Sequence, residues 1–144
     1  MPNPVATKFF EVMFKNSRLL RDKVNYSSDI IQLSMLQIQT LSLLKRQSHV
    51  QMREIADYFH IELPSATSLL NKLVTMNLVK REQDIKDRRL VRVMLTDDGN
   101  NMLKKAMDEK LKNLEHMLSY LSETEQHELL RLLEKLNDRI EKKL

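Results

Sequence analysis

The chain has 144 residues, 31% of them charged, with one glycine, three prolines and no cysteine. That length suits one domain or two small lobes sharing a core. So few glycines and prolines exclude a loop-rich fold, and the lack of cysteine excludes disulfides, thiolate metal sites and thiol redox switches. The net charge is +4 and unevenly spread. Residues 45–92 carry ten Lys/Arg against six Asp/Glu, residues 1–44 five against three, and residues 93–144 nine against eleven. A basic middle with nearly neutral flanks is the outline of a nucleic-acid module or of a merely solvated surface. No apolar run approaches ~20 residues, so no helix is expected to span a membrane. Met1-Pro2-Asn3-Pro4-Val5 lacks the basic-then-apolar build of a signal peptide, so a cytoplasmic location is expected.

Leu and Met dominate the apolar set and favour helix over sheet. A first helix is predicted over about residues 5–24, with Phe9, Phe10, Met13, Phe14, Leu20 and Val24 at helical spacing. Asn25-Tyr26-Ser27-Ser28-Asp29 is a polar break. Ser34-Met35-Leu36-Gln37 fits a capping box and opens a second helix, which runs through Ile38, Leu41 and Leu44 to about Arg46. Gln47-Ser48-His49 is a short connector.

Residues 50–99 carry the functional signal. Val50 to Phe59 reads as one amphipathic helix, His60-Ile61-Glu62-Leu63-Pro64 as a turn, and Ser65 to Val74 as a second helix. His60 sits where many helix-turn-helix units place a Gly; a left-handed conformation is open to His there at greater cost than to Gly. In the second helix Ala66, Leu69, Leu70 and Leu73 fall at i, i+3, i+4 and i+7 and must face the core. Ser65, Thr67, Ser68, Asn71 and Lys72 are left facing outward. Small hydroxyls near a helix N-terminus can donate to phosphate, Asn can pair bidentately with adenine, and Lys can reach guanine or phosphate. The same residues also make an ordinary solvated helix face.

Leu78-Val79-Lys80-Arg81 and Leu90 to Leu95 alternate as paired strands, with Arg92 opposite the Val91, Val93 and Leu95 face. Between them lies Gln83-Asp84-Ile85-Lys86-Asp87-Arg88-Arg89, a cationic tip able to put Arg into a narrow A·T-rich groove. Asp87 would be repelled by phosphate, so an orienting role is expected, on Arg89 or on a neighbouring backbone group. Together these segments predict a winged helix-turn-helix with DNA-binding residues Lys86, Asp87, Arg88 and Arg89 in the wing.

Thr96 caps a long helix that begins at Asp97-Asp98-Gly99. Leu103, Met107, Leu111, Leu114, Leu118 and Leu121 step along it. Ser122-Glu123-Thr124-Glu125 is a second capping box and opens a last helix bearing Leu129, Leu133, Leu136, Ile140 and Leu144. An antiparallel pair cannot bury both stripes. A second subunit is expected to cover them, the alternative being a monomer that uses the first helix alone.

Leu33-Ser34-Met35-Leu36-Gln37, Ile55-Ala56, Leu73, Leu78-Val79-Lys80-Arg81, Asp87-Arg88-Arg89 and Leu95-Thr96-Asp97-Asp98-Gly99 resemble the MarR family of transcription regulators. The resemblance implies a mainly α fold with a small β wing. Residues 33–96 would form the DNA-binding domain, and residues 1–32 and 97–144 an intertwined dimerisation region. It implies a homodimer on a pseudo-palindromic operator, most often as a repressor, released in many members by a small aromatic or phenolic anion bound between the two regions. By position, Ser65, Thr67, Ser68, Asn71 and Lys72 match the recognition-helix contacts, and Asp87 and Arg89 the acid–x–arginine element of the wing. Two positions depart from the family pattern. Asn77 replaces the Gly before the first wing strand, and Leu63 precedes Pro64 where a Ser or Thr cap is common. A winged helix serving only protein–protein interaction is the alternative reading. No nucleophile–base constellation, phosphate-cradling loop or metal cluster points to an enzyme, and no cofactor is expected. His49, His60, His116 and His127 show no ligand spacing.

Overall fold

The computed structural model describes residues 3–23 and 33–143, with side chains for 3–19 and 33–143. The elements in chain order are α1 (Pro4–Lys23), α2 (Met35–Arg46), β1 (Val50–Gln51), α3 (Met52–Tyr58), α4 (Leu63–Thr75), β2 (Val79–Gln83), β3 (Val91–Leu95), α5 (Asp97–Leu118) and α6 (Glu123–Glu141). The expected break at residues 25–29, Val24 and the Leu20 side chain lie outside the described residues. This mainly helical chain with a small antiparallel sheet is the fold class expected from the sequence.

The chain divides into two compact units, one of Ser27–Glu109 and the other joining Met1–Tyr26 to Lys110–Leu144. In the first, Ile38, Leu41 and Leu44 of α2, Ile55 of α3, Leu70 and Leu73 of α4, and Val79 and Val93 of the sheet close one core. The Ser34 hydroxyl accepts from the Gln37 N–H at 3.2 Å, and the Gln37 side chain accepts from the Ser34 N–H at 2.8 Å, so the predicted capping box starts α2. The second unit is different in kind. None of its described residues is buried, and Phe9 (63% exposed), Phe10 (70%), Leu111 (55%) and Leu136 (53%) face outward. Within it, Asn16, Leu19, Met117, Leu118, Tyr120, Leu121 and Leu129 line a largely apolar cavity of about 430 Å³. No helix among the described residues is long and apolar enough to cross a membrane.

Two expectations need correction. Val50 and Gln51 do not belong to the helix: they form β1, which pairs antiparallel with β3 through Val50↔Val93 and Gln51↔Arg92. The sheet therefore has three strands in the order β1-β3-β2, rather than two. Two residues are too few for a period-2 pattern, and only the partner strand reveals the pairing. The second correction is the start of α4, which lies two residues earlier, at Leu63, with Pro64 in its first turn. Proline is suited there because its missing N–H would have had no helical acceptor.

Both inner helices end in the same way. The Ile61 N–H bonds the Ala56 carbonyl at 3.0 Å and the His60 N–H that of Asp57 at 3.2 Å, with His60 at φ 51°. The Leu78 N–H bonds the Leu73 carbonyl at 2.9 Å and the Asn77 N–H that of Val74 at 2.9 Å, with Asn77 at φ 57°. Each is a left-handed helix terminus of the type usually closed by glycine. The chain's one glycine is needed elsewhere. Thr96 caps α5 by accepting from the Gly99 N–H at 2.9 Å, while its own hydroxyl donates to the Asn77 carbonyl at 2.7 Å. The Thr96 N–H donates to the Leu78 carbonyl at 3.1 Å. A Cβ on Gly99 would overlap that carbonyl oxygen and stand 2.8 Å from Leu95 Cδ1.

Gly→Ala in a helix ordinarily stabilises by up to ~1 kcal/mol. Gly99→Ala is expected to reverse that sign and destabilise the fold by about 1–3 kcal/mol, the range for overpacking against atoms that cannot yield. Urea unfolding of the two proteins measures it.

Candidate nucleic-acid interface

The outward face of α4 is built by its inward one. Ala66, Leu70 and Leu73 are wholly buried and Leu69 nearly so, which fixes the helix about its axis. Ser65, Ser68, Asn71 and Lys72 are then exposed, and Thr67 is half-buried. Thr67, Ser68, Asn71 and Lys72 line an open groove of about 800 Å³ with Gln37, Leu63, Pro64, Thr75 and Met76. Ser65 lies on the same helix outside that lining.

Hydrogen bonding divides these residues. Thr67 Oγ1 donates to the Leu63 carbonyl at 2.9 Å, so its proton is used within the helix and it offers lone pairs and a methyl group outward. Ser65 and Ser68 keep their hydroxyls unengaged, and Lys72 keeps its ammonium unpaired, among the described residues. Asn71 is held from outside the helix: Arg81 of β2 donates from Nη2 to Asn71 Oδ1 at 2.6 Å. Sequence reasoning missed this link, because the two residues join different elements and no local pattern pairs them.

The wing is organised by two aspartates. Asp84 Oδ1 accepts from the Lys86 N–H at 2.8 Å and the Asp87 N–H at 3.0 Å, which turns the chain out of β2. Its Oδ2 accepts from Arg92 Nε of β3, and Arg92 Nη1 donates to the His49 carbonyl at 2.8 Å. One guanidinium thus ties the tip, the central strand and the approach to β1, where His49 itself stands at φ 64°. Asp87 Oδ1 accepts from the Arg89 N–H at 3.0 Å, and the Asp87 carbonyl accepts from the Leu90 N–H at 2.9 Å. Of the two orienting roles open to Asp87, the structure takes the backbone one.

The cations fall into two classes. Arg92 is paired with Asp84, and Lys80 with Glu82 at 2.6 Å. Lys86, Arg88 and Arg89 are exposed and make no hydrogen bond or ion pair through their side chains among the described residues. Arg92, placed by the sequence on the strand's opposite face, is occupied by Asp84 and the His49 carbonyl. Asp84 was not singled out from sequence, though an aspartate two and three residues before backbone N–H groups is a readable turn signal. Among the described residues no group of three or more His, Asp or Glu could hold a metal ion.

The Arg92 guanidinium beside Asp84, aided by the Asp87 and Lys86 N–H groups, holds its carboxyl at about 2. An unfolded aspartate titrates near ~3.9. A depressed folded value stabilises the wing fully above the unfolded one and is lost as pH falls through about 2. The Asp84 carboxyl resonance is therefore expected to titrate near 2, and to move part of the way back toward the ordinary range in Arg92→Ala, where only the backbone donors remain.

Comparison with known proteins agrees with this geometry. The MarR family model matches residues 31–90, which hold α2, α3, α4, β2 and the wing tip. The transcriptional repressor MdtR of Bacillus subtilis is 27% identical over 100 residues, covering 69% of this chain and 64% of that protein. The chain spans less than two thirds of the length of the curated relatives it matches, between 59% and 66%. The YusO protein of Bacillus subtilis has the same fold, with a TM-score of 0.72 at 20% identity over 96% of this chain and 98% of that one. The transcriptional repressor CouR, solved bound to a 23-mer DNA duplex, aligns with a TM-score of 0.63 at 27% identity over 74% of this chain and 75% of that one. The segment that matches the MarR family model thus forms the helix-turn-helix, the first wing strand and the tip, and the chain has the winged-helix fold.

Proposed function

We propose that this chain is a sequence-specific duplex-DNA-binding transcription regulator, acting as a homodimeric repressor on a pseudo-palindromic operator. The observation that carries the reading is the pairing of an outward helix face with a tip of uncompensated cations. Among the described residues, the side chains of Ser65, Ser68 and Lys72 on α4 and of Lys86, Arg88 and Arg89 on the wing have no partner. A helix fits the major groove, where base edges are distinguishable, and a thin basic ribbon fits the minor groove beside it. The relatives MdtR and CouR, both described as transcriptional repressors, support the same reading.

In this reading residues 33–96 bind DNA and residues 1–32 and 97–144 dimerise. The apolar side chains exposed on α1, α5 and α6 support that division, because a face such as Leu129, Leu133, Leu136 and Ile140 needs cover in water. Release by a small aromatic or phenolic anion and a cytoplasmic location belong to the reading through the family resemblance.

Sedimentation at micromolar concentration is expected to give a dimer. Duplexes selected from a random pool are expected to contain inverted repeats with half-sites about one helical turn, ~34 Å, apart. A stable monomer or asymmetric sites would contradict the assembly proposed.

The wing separates two equal charges. Arg89→Ala is expected to cost about 1–3 kcal/mol of operator binding and to lower the salt dependence by about one counterion. Arg92→Ala removes a charge that Asp84 already compensates, so its loss is smaller and leaves the salt slope unchanged. Asp87→Ala weakens binding despite removing a negative charge, because the Arg89 backbone loses its acceptor. Titrations of operator and random duplex at two salt concentrations measure all three. Tighter binding by Asp87→Ala, or equal slopes for both arginine variants, would reduce the tip to a generic cationic loop. Failure to retard any duplex at moderate salt would favour a protein-interaction module.

A further inference from the structure

The link between Arg81 and Asn71 changes what the recognition helix can read. Arg81 stands on β2 opposite Val93, and Asn71 lies midway along the outward face of α4. The 2.6 Å separation of Nη2 and Oδ1 is that of a charge-assisted hydrogen bond. A guanidinium has donors only, so the amide atom that meets it must be oxygen. The Asn71 NH2 group is thereby fixed on the other branch of the amide. An unattached Asn offers one acceptor and one donor side by side, the match for adenine N6 and N7. Here half of the acceptor capacity is already taken. What the pair presents is the remaining guanidinium N–H groups, two amide N–H groups and a positive charge. That charge is available, since Arg81 has no carboxylate within ion-pair distance among the described residues, whereas Lys80 and Arg92 do.

We propose that Arg81 is a specificity-determining positioning residue, and that Arg81 and Asn71 act as one donor unit reading guanine in the major groove. Guanine shows two acceptors there, O6 and N7, while adenine shows one acceptor and one donor. The proposal rests on the DNA-binding reading above and deepens it, because it assigns a base and a strand residue to a site otherwise ascribed to helix residues alone.

Selection of bound duplexes from a random pool, with the full chain and its Asn71→Ala, Arg81→Ala and Arg81→Lys variants, tests it. The position read by Asn71 is the one at which Asn71→Ala flattens the preference. That position is expected to be guanine for the unaltered protein. Arg81→Ala is expected to lower the preference for guanine over adenine there by about 5- to 150-fold, the range for one good base contact, and to leave other positions unchanged. Arg81→Lys, which can still donate to Oδ1, is expected to retain guanine. Replacing that guanine with 7-deazaguanine should weaken the unaltered protein and not Arg81→Ala. Should Arg81→Ala lose its fold in urea melting, Arg81→Met, which keeps an apolar stem but has neither charge nor N–H donor, takes its place with the same expected loss. Adenine at that position, a uniform weakening by Arg81→Ala across all positions, or no position flattened by Asn71→Ala each overturn the inference while leaving DNA binding intact. If the unaltered protein enriches no sequence, the DNA-binding reading falls and the inference with it.

Discussion

The Leu78 carbonyl is where the winged unit is assembled. It receives the Thr96 N–H, and it occupies the space that any side chain at position 99 would need. Around it, Thr96 Oγ1 bonds the Asn77 carbonyl and Asn77 Nδ2 bonds Asp98 Oδ2 at 2.8 Å. The end of α4, the first residues of β2, the end of β3 and the first turn of α5 are thereby held at one place. The direction in which the wing leaves the body depends on this clasp, because β2 and β3 are paired from Val79↔Leu95 outward and carry the tip with them. Shifting the clasp would move every charge on the ribbon relative to α4.

Two further ties act at increasing distance from it. Arg81 joins the middle of β2 to Asn71 of α4, and Arg92 joins β3 to Asp84 at the tip and to the His49 carbonyl. The ribbon is therefore anchored at its base, braced at its middle and closed at its end. Cations near the base and middle are used for bracing or pairing, while Lys86, Arg88 and Arg89 at the tip have no side-chain partner among the described residues. A hairpin of five-residue strands exposed along one edge would be marginal in water without such ties.

Much of this was legible in the sequence, and the division follows the range of the interactions. Ala66, Leu69, Leu70 and Leu73 announced the buried face of α4 because one helix carries the whole pattern. Ser34 and Gln37, and Ser122 and Glu125, announced helix starts because capping boxes close within four residues. His60 and Asn77 drew notice because each stands where related sequences place a glycine, and both are left-handed here. β1 was not, because two residues hold no period, and His49 at φ 64° gives no sign of itself. The Arg81–Asn71 and Arg92–Asp84 ties join residues 10 and 8 apart across different elements. Strand position already set Arg81 and Arg92 apart from the tip cations, but only the structure shows which groups they hold.

The placement of glycine has a consequence for the unfolded chain. Two left-handed helix ends are closed by His60 and Asn77, and the single glycine is kept for the close approach at position 99. Each non-glycine residue in a left-handed corner costs the native state some strain. The disordered chain, however, has fewer backbone conformations available at those two corners than glycine would give it. Less entropy is surrendered there on folding, by about 0.4–1 kcal/mol for each such position. The stability of the helix-turn-helix thus depends partly on what its corners cannot do before the protein folds, set against the strain they carry afterwards.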